Sequence, residues 1–172
     1  RQPFVEQIAA ERSMTPIDTW EDQRGTRGHA SIGLEILEQM PDVKTVLVPV
    51  SSGGVASGVA TAIKETNPSV KVIGVQPERA NAAYVSLQKG VPTAIDYWNT
   101  IADGLSAVRP GFSPFRHLQK YLDGIVLISE ADIARAFRSL LMRTKIMAEP
   151  AGAVAAAAFL SGNVDTSRKT VA

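Results

Sequence analysis

The residues most able to do chemistry lie in the stretch from Val46 to Glu65, VLVPVSSGGVASGVATAIKE. Ser51, Ser52, Gly53 and Gly54 end an apolar run, and small residues at helical spacing follow at once. Such a loop joins the C-terminal end of a buried strand to the start of a helix, the edge where open α/β sheets take their ligands. The first N–H groups of that helix have no internal partners, and its dipole favours a nearby anion by about 0.3–1 kcal/mol. Gly53 and Gly54 let the backbone turn and approach a ligand closely, while Ser51 and Ser52 can add hydroxyl donors. A single phosphate group suits this set. So does a plain turn with Ser52 as the N-cap. The glycine spacing matches neither a dinucleotide fingerprint nor a P-loop, and Lys64 lies a full helix away, which argues against a dinucleotide or nucleoside triphosphate.

Two further motifs carry polar groups. TIADG, residues 100–104, falls in a region without periodicity; Gly104 beside Asp103 could let backbone approach a flat ligand, or could make an Asp-Gly turn. EPAGA, residues 149–153, opens a helix with Glu149 just before Pro150. That carboxylate either complements the helix start or faces a polar ligand.

These motifs need elements to position them. Phe4, Val5, Ile8 and Ala9 recur at helical spacing, with Pro3 in the first turn. Residues 14–29 read as irregular, with a short extended piece near Ile17. A helix is predicted over 30–40, with Ile32, Ile36 and Leu37 or Met40 on its inner face. The apolar run from Thr45 to Val50 lacks alternation, as a strand buried on both faces does. The next helix, from Gly54 to Thr66, carries Val55, Val59, Ala62 and Ile63 on its apolar stripe. A second buried strand (70–77), a helix stopped by Gly90, a short helix within 112–124 and a third strand (124–129) follow. Ser129 caps the next helix, with Asp132 in the third position of a near capping box and Ile133, Ala134, Phe137, Leu140 and Leu141 facing inward. A last helix over 149–162 and a strand opening at 169–172 complete the pattern. Strands alternating with helices predict an α/β domain: a mostly parallel sheet with helices on both faces, in three αβα layers.

Composition excludes several functions. The chain of 172 residues is 45% hydrophobic and 20% charged, enough to fold around a sizeable core. A net charge of +1 with scattered basic residues gives no footprint for nucleic acid or an anionic membrane. The longest apolar run, near Ala151 to Leu160, is too short to span a bilayer. No cysteine is present, which excludes disulfides, thiolate metal sites and a cysteine nucleophile and suits a cytoplasmic setting. His29 and His117 are too few and too far apart for a multi-histidine metal site. The chain begins at Arg1 and ends in SRKTVA, like a strand cut short, so it reads as one domain incomplete at both ends.

In their order, the segments GHASIGLEILEQMPDVKTVLVPVSSGGVASGVATAIKETNPSVKVIGVQP, TIADGL and DGIVLISEADIARAFRSLLMRTKIMAEPAGAVAAAA resemble the pyridoxal-phosphate (PLP) enzymes of the tryptophan-synthase-β fold (fold type II). The resemblance is greatest to the threonine and serine dehydratases and the serine racemases. It implies most of the large domain of such an enzyme, PLP as cofactor, and β-elimination of a hydroxy amino acid to a 2-oxo acid and ammonia. It implies that Ser51, Ser52, Gly53, Gly54 and Val55 hold the cofactor phosphate, with serines where relatives usually carry glycines. Gly104 would lie beside the cofactor ring and Glu149 near its pyridine side. His29 stands where relatives often have glutamine, at an expected helix start, on the surface or bordering the site.

The resemblance also marks what is missing. The family's cofactor-bearing lysine lies in a serine-x-x-lysine motif upstream of the phosphate loop, and no such motif precedes Ser51. No catalytic residue is therefore assigned, and the 172 residues alone are expected to be inactive. The family's serine at the pyridine nitrogen follows the final strand, past the end of this chain. Where some relatives bind a divalent cation through acidic residues, Gln76 and Ala82 stand here. Hard cations prefer carboxylates, so that metal site is expected to be absent or weak. A small-molecule amino acid is the implied partner, and self-association, as a homodimer or through exposed apolar surface, is expected. The alternatives are a non-catalytic PLP-fold remnant or interaction module and a serine racemase-like or other fold type II PLP enzyme.

Overall fold

The computed structural model describes residues 2–165 and 170–171. Four parallel strands form its sheet: β1 (Thr45–Pro49), β2 (Lys71–Pro77), β3 (Gly124–Ile128) and β4 (Thr170–Val171), in the order β3-β2-β1-β4. Register runs Thr45↔Lys71 to Pro49↔Val75 between β1 and β2, and Ile73↔Gly124 to Pro77↔Ile128 between β2 and β3. On the far side of β1, Thr45 and Val46 pair with Thr170 and Val171. Positions 169 and 172 of the expected last strand lie outside the described residues.

Side chains alternate across β1 and bind a helical layer on each face. Val46 and Val48 enter a core with Val59, Ala60 and Ile63 of α3 (Gly54–Thr66) and Leu118 of α5 (Phe112–Tyr121). Leu47 points the other way, into a core with Ile133 and Ala136 of α6 (Glu130–Ser139) and Val154, Ala157 and Ala158 of α7 (Val154–Leu160). This is the predicted three-layer architecture. Among the described residues no helix is long and apolar enough to cross a membrane.

Two helices precede the sheet, α1 (Gln2–Glu11) and α2 (Gln23–Gln39), and α4 (Ala82–Lys89) follows β2. The second departs from expectation. It starts at Gln23, well inside the stretch read as irregular, because Asp22 caps it: the Asp22 carboxylate accepts from Arg24 N–H at 2.8 Å. Its contact face also differs. Ile32 and Met40 are exposed, whereas Thr26 and Gly33 are buried against α3. Ile36 and Leu37 keep their expected place against the core that holds Val59, Ala60 and Ile63, but along the rest of the seam the two helices meet by backbone approach. A methyl added at Gly58 would lie 2.3 Å from the Thr26 carbonyl oxygen, and one at Gly33 would lie 2.7 Å from that of Val59. Thr26 and Ser57 hydroxyls face each other at 3.4 Å in the seam.

Other expectations shift locally. Gly90 ends α4 in the left-handed conformation, φ +73°, as predicted. Ser129 caps α6, its hydroxyl accepting from Asp132 N–H at 3.2 Å. Asp132 returns a contact to that hydroxyl, at 2.5 Å, instead of to the backbone N–H of a full capping box. Ala134 and Leu141 are exposed, and Ala136 takes the buried place. Leu141 leaves the face because α6 loosens into a π turn, Leu140–Thr144. The last helix begins with a 3-10 turn, Ala151–Ala153, and is regular only from Val154. Val55 is exposed at the mouth of the loop.

The seam predicts opposite outcomes for two glycines. Gly58→Ala should destabilise the protein by about 1–3 kcal/mol, because overpacking here falls on rigid backbone. Gly28→Ala, on the exposed face of α2 with nothing within 4 Å, should stabilise by roughly 0.5–1 kcal/mol. Urea midpoints of the two variants check this.

Candidate functional site

Strand order places the site. The β1–β2 crossover carries α3 on one face, while β4 lies on the other side of β1 after α6 and α7 on the opposite face. The crevice beyond the C-terminal end of β1 is therefore a topological switch point. Ser51 to Gly54 occupy it.

The loop is shaped by Gly53, buried at φ +103° and ψ −5°, as the N-cap of α3. Ser52 is not the cap. The Gly53 carbonyl accepts from Ser57 N–H at 2.8 Å, closing the first helical turn, and the Ser57 hydroxyl donates to the Gly54 carbonyl at 2.9 Å. A side chain at 53 would meet Leu118 at 3.0 Å and Pro114 at 3.1 Å, so conformation and space both require glycine. At the mouth, the backbone N–H groups of Ser52, Gly53, Gly54, Val55 and Ala56 have no partner among the described residues, nor does the Ser52 hydroxyl. The Ser51 hydroxyl is engaged, accepting from Ala107 N–H at 3.3 Å. The Ser52 carbonyl accepts from Gly111 N–H at 2.9 Å.

The other two motifs meet nearby. TIADG folds into a 3-10 turn, Asp103–Leu105, whose Gly104 N–H donates to the Asp103 carboxylate at 3.0 Å. A methyl on Gly104 would lie 3.1 Å from the Ala151 side chain and 3.4 Å from Glu149 Oε1. The Glu149 carboxylate caps no helix and makes no hydrogen bond among the described residues. Glu149 reaches this place after the π turn and a left-handed Lys145, φ +61°, redirect the chain. The structure thus brings Gly104 against Glu149, with loop 51–54 tied to the same segment three residues on, at Ala107.

Glu130 was not among the sequence candidates. As the first residue of α6, its Oε2 accepts from Ile101 N–H at 2.8 Å and pins TIADG to the end of β3. Its Oε1 is buried without a partner among the described residues. In sequence it reads only as an acidic residue in a helix's first turn. His29 lies inside α2 rather than at its start, half-buried against Gly58, with Nδ1 buried and unpartnered among the described residues. Gln76 is fully buried; its Oε1 accepts from Tyr84 N–H at 3.0 Å in the first turn of α4, and Ala82 is buried beside it. Among the described residues no group of three or more His, Asp or Glu is arranged to hold a metal. The one serine-x-x-lysine string, Ser86 to Lys89, runs along α4, with Ser86 buried and Lys89 exposed.

Unpaired amides at a helix start, an unengaged hydroxyl and the helix dipole fit a phosphate monoester. The fold defines a class, the open parallel α/β domains that take ligands at the C-terminal edge of the sheet. Within that class, the chain belongs to the pyridoxal-phosphate dependent enzyme family, whose pattern it matches over residues 1–172. It is 42% identical over 166 residues to an L-threonine ammonia-lyase of Geobacter sulfurreducens, covering 96% of this chain and 41% of that protein. To the catabolic L-threonine dehydratase of Escherichia coli K12 it is 40% identical over 158 residues, 90% of this chain and 48% of that protein. Among solved structures, a T.th. threonine deaminase superposes with a TM-score of 0.92 at 33% identity, covering 98% of this chain and 62% of that one. The serine racemase of Dictyostelium discoideum superposes at 0.89 and 30% identity, covering 99% and 55%. The chain spans about half the length of the curated relatives it matches.

Removing the Glu130 carboxylate should loosen TIADG. A hydrogen bond to a charged group contributes about 1.5–3 kcal/mol, so Glu130→Ala should speed amide exchange at Ile101 by roughly tenfold or more. Hydrogen-exchange mass spectrometry over residues 99–106 reads this, and Glu130→Gln, which keeps an acceptor, should retain protection.

Proposed function

We propose that this chain forms the cofactor-phosphate-binding part of a PLP-dependent L-threonine or L-serine dehydratase, as one α/β domain that makes up most of the enzyme's large domain. The observation that carries the reading is the run of unpaired amides from Ser52 to Ala56 at the switch point of the sheet. The names of the relatives supply the reaction class. When bound, PLP supplies an electron-withdrawing ring that stabilises negative charge at the substrate α-carbon. The residues of this chain bind and orient. Backbone N–H groups of 52–56 and the Ser52 hydroxyl hold the phosphate dianion. Gly104 leaves room for a flat ring, since any side chain there would press on Glu149 and Ala151. Glu149 presents an unengaged carboxylate to a polar edge of the bound group. Held geometry of this kind lowers the entropic part of the barrier. Proton removal from the α-carbon is assigned to no residue of this chain.

Amino-acid racemisation is the second reading, favoured by the likeness to the serine racemase structure; it uses the same phosphate loop. We also propose a cytoplasmic setting and self-association. The latter is supported by exposed apolar side chains such as Leu34, Met142 and Met147.

The full-length protein carrying this chain, supplied with PLP and L-threonine or L-serine, should release a 2-oxo acid and ammonia. Absence of product from the folded, cofactor-loaded protein with both substrates would sink the dehydratase reading, and inversion of serine without elimination would select racemisation. In the same protein Gly54→Asp should weaken PLP binding by roughly tenfold or more, since like charges about 4 Å apart repel by about 1–4 kcal/mol. The substitution has room, because the nearest atom to a methyl at 54 is the Thr19 carbonyl oxygen at 3.6 Å.

A further inference from the structure

We infer that Glu21 is a positioning residue that holds the phosphate loop in its binding shape, acting through the start of α5. The inference rests on the reading of residues 52–56 as the phosphate cradle. Glu21 lies in the unpatterned stretch before α2, half-buried, and neither its neighbours nor its spacing mark it in sequence. Its two carboxylate oxygens accept from two consecutive amides, Oε1 from Phe112 N–H at 2.9 Å and Oε2 from Ser113 N–H at 3.0 Å. These are the first two amides of α5, and the N-cap of that helix, Gly111, has no side chain to serve them. An acceptor for such amides usually comes from the cap residue itself. Here it arrives from a segment 91 positions earlier, so the capping bond is also a tertiary tie.

The tie reaches the loop in one further step. Gly111 N–H, directly before those amides, donates to the Ser52 carbonyl at 2.9 Å. Contact geometry closes the arrangement: a methyl on Gly111 would lie 2.3 Å from the Trp20 carbonyl oxygen, and one on Gly53 would lie 3.1 Å from Pro114. Arg109 supports it, with its guanidinium 4.0 Å from Glu21 Oε1 and 4.2 Å above the Phe112 ring. Residues 20–21, 109–114 and 52–53 thus form a linked set, with 109–114 touching both of the others. Without the Glu21 carboxylate, two helix-start amides lose their acceptor, Arg109 loses its counter-charge, and Gly111 is freed from the Ser52 carbonyl. The amides of 52–56 then lose the fixed direction that lets them converge on one phosphate.

The test uses the full-length protein stripped of cofactor, with pyridoxal 5′-phosphate and unphosphorylated pyridoxal as paired probes. The ratio of their dissociation constants isolates the contribution of the phosphate. Glu21→Ala should reduce the preference for the phosphorylated probe by roughly tenfold while pyridoxal binding stays unchanged. Glu21→Gln, which keeps one acceptor oxygen, should reduce it by roughly threefold, and it carries the test if the alanine variant does not fold. An unchanged preference in the folded variants overturns the role of Glu21 and leaves the phosphate-loop reading standing. Equal loss for both probes also overturns it, as a general folding defect would. A wild-type protein without preference for the phosphorylated probe overturns the phosphate-loop reading, and this inference with it.

Discussion

The close approach of α2 to α3 is the constraint on which the rest of the architecture depends. At Gly58 the backbones come so near that a single methyl would collide with the Thr26 carbonyl oxygen. That spacing sets the position of α2 and, through the Asp22 cap at its start, of residues 18–22. Those residues bear on the start of α5 through Trp20 and Glu21 and on the mouth of α3 through Thr19. Loop 51–54 is therefore held by its surroundings as well as by the strand that delivers it. A loop whose amides must stay unpaired cannot be stabilised by its own hydrogen bonds, so its shape has to come from those neighbours.

This explains which parts of the fold were legible in the sequence. β1 could be read because burial on both faces requires an unbroken apolar run, and Val46, Leu47 and Val48 supply it. Gly90 and Ser129 could be read because each answers a local backbone need, a left-handed residue in one case and an unpaired amide in the other. The start of α2 could not. Periodicity detects faces made of large apolar side chains, and the first half of this helix packs through Thr26, with Gly33 beyond it, which leave no such trace. Of the inner face that periodicity predicted, Ile36 and Leu37 do reach the core, whereas Ile32, and Met40 as the alternative to Leu37, are exposed. Small-residue contacts exchange side-chain volume for backbone proximity, and a hydropathy pattern carries no record of that exchange.

The candidate site divides along a similar line. Position marked the loop as a strand-to-helix turn at the ligand-taking edge of the sheet, but it suited a plain turn as well as a phosphate. TIADG and EPAG acquired meaning only through resemblance, because an Asp-Gly turn and a carboxylate before a helix are each commonplace. What the structure adds is their convergence, Gly104 against Glu149 Oε1. Glu21 and Glu130 were beyond reach for a definite reason. Each bonds to backbone N–H groups in a distant segment, Glu130 to Ile101 and Glu21 to Phe112 and Ser113. Every residue except proline offers such an N–H, so the partner's identity leaves no imprint on the sequence.

The two serines of the loop can now be separated. The resemblance to the family implies glycines in such a loop, which makes Ser51 and Ser52 look like a single departure. Their surroundings differ. The Ser51 hydroxyl accepts from Ala107 N–H and so joins the loop to the segment that follows Gly104. It acts as a strut, and a glycine there would leave that amide without its acceptor. The Ser52 hydroxyl has no protein partner among the described residues and stands beside the unpaired amides of 53–56, while its carbonyl takes the bond from Gly111. One serine thus substitutes for rigidity that a glycine-rich loop would have to obtain elsewhere, and the other leaves a donor at the mouth. A loop with fewer glycines also has less conformational entropy to lose when it orders. Serine at both positions therefore favours the same outcome, a loop whose unpaired amides keep one shape, as the proposed phosphate site requires.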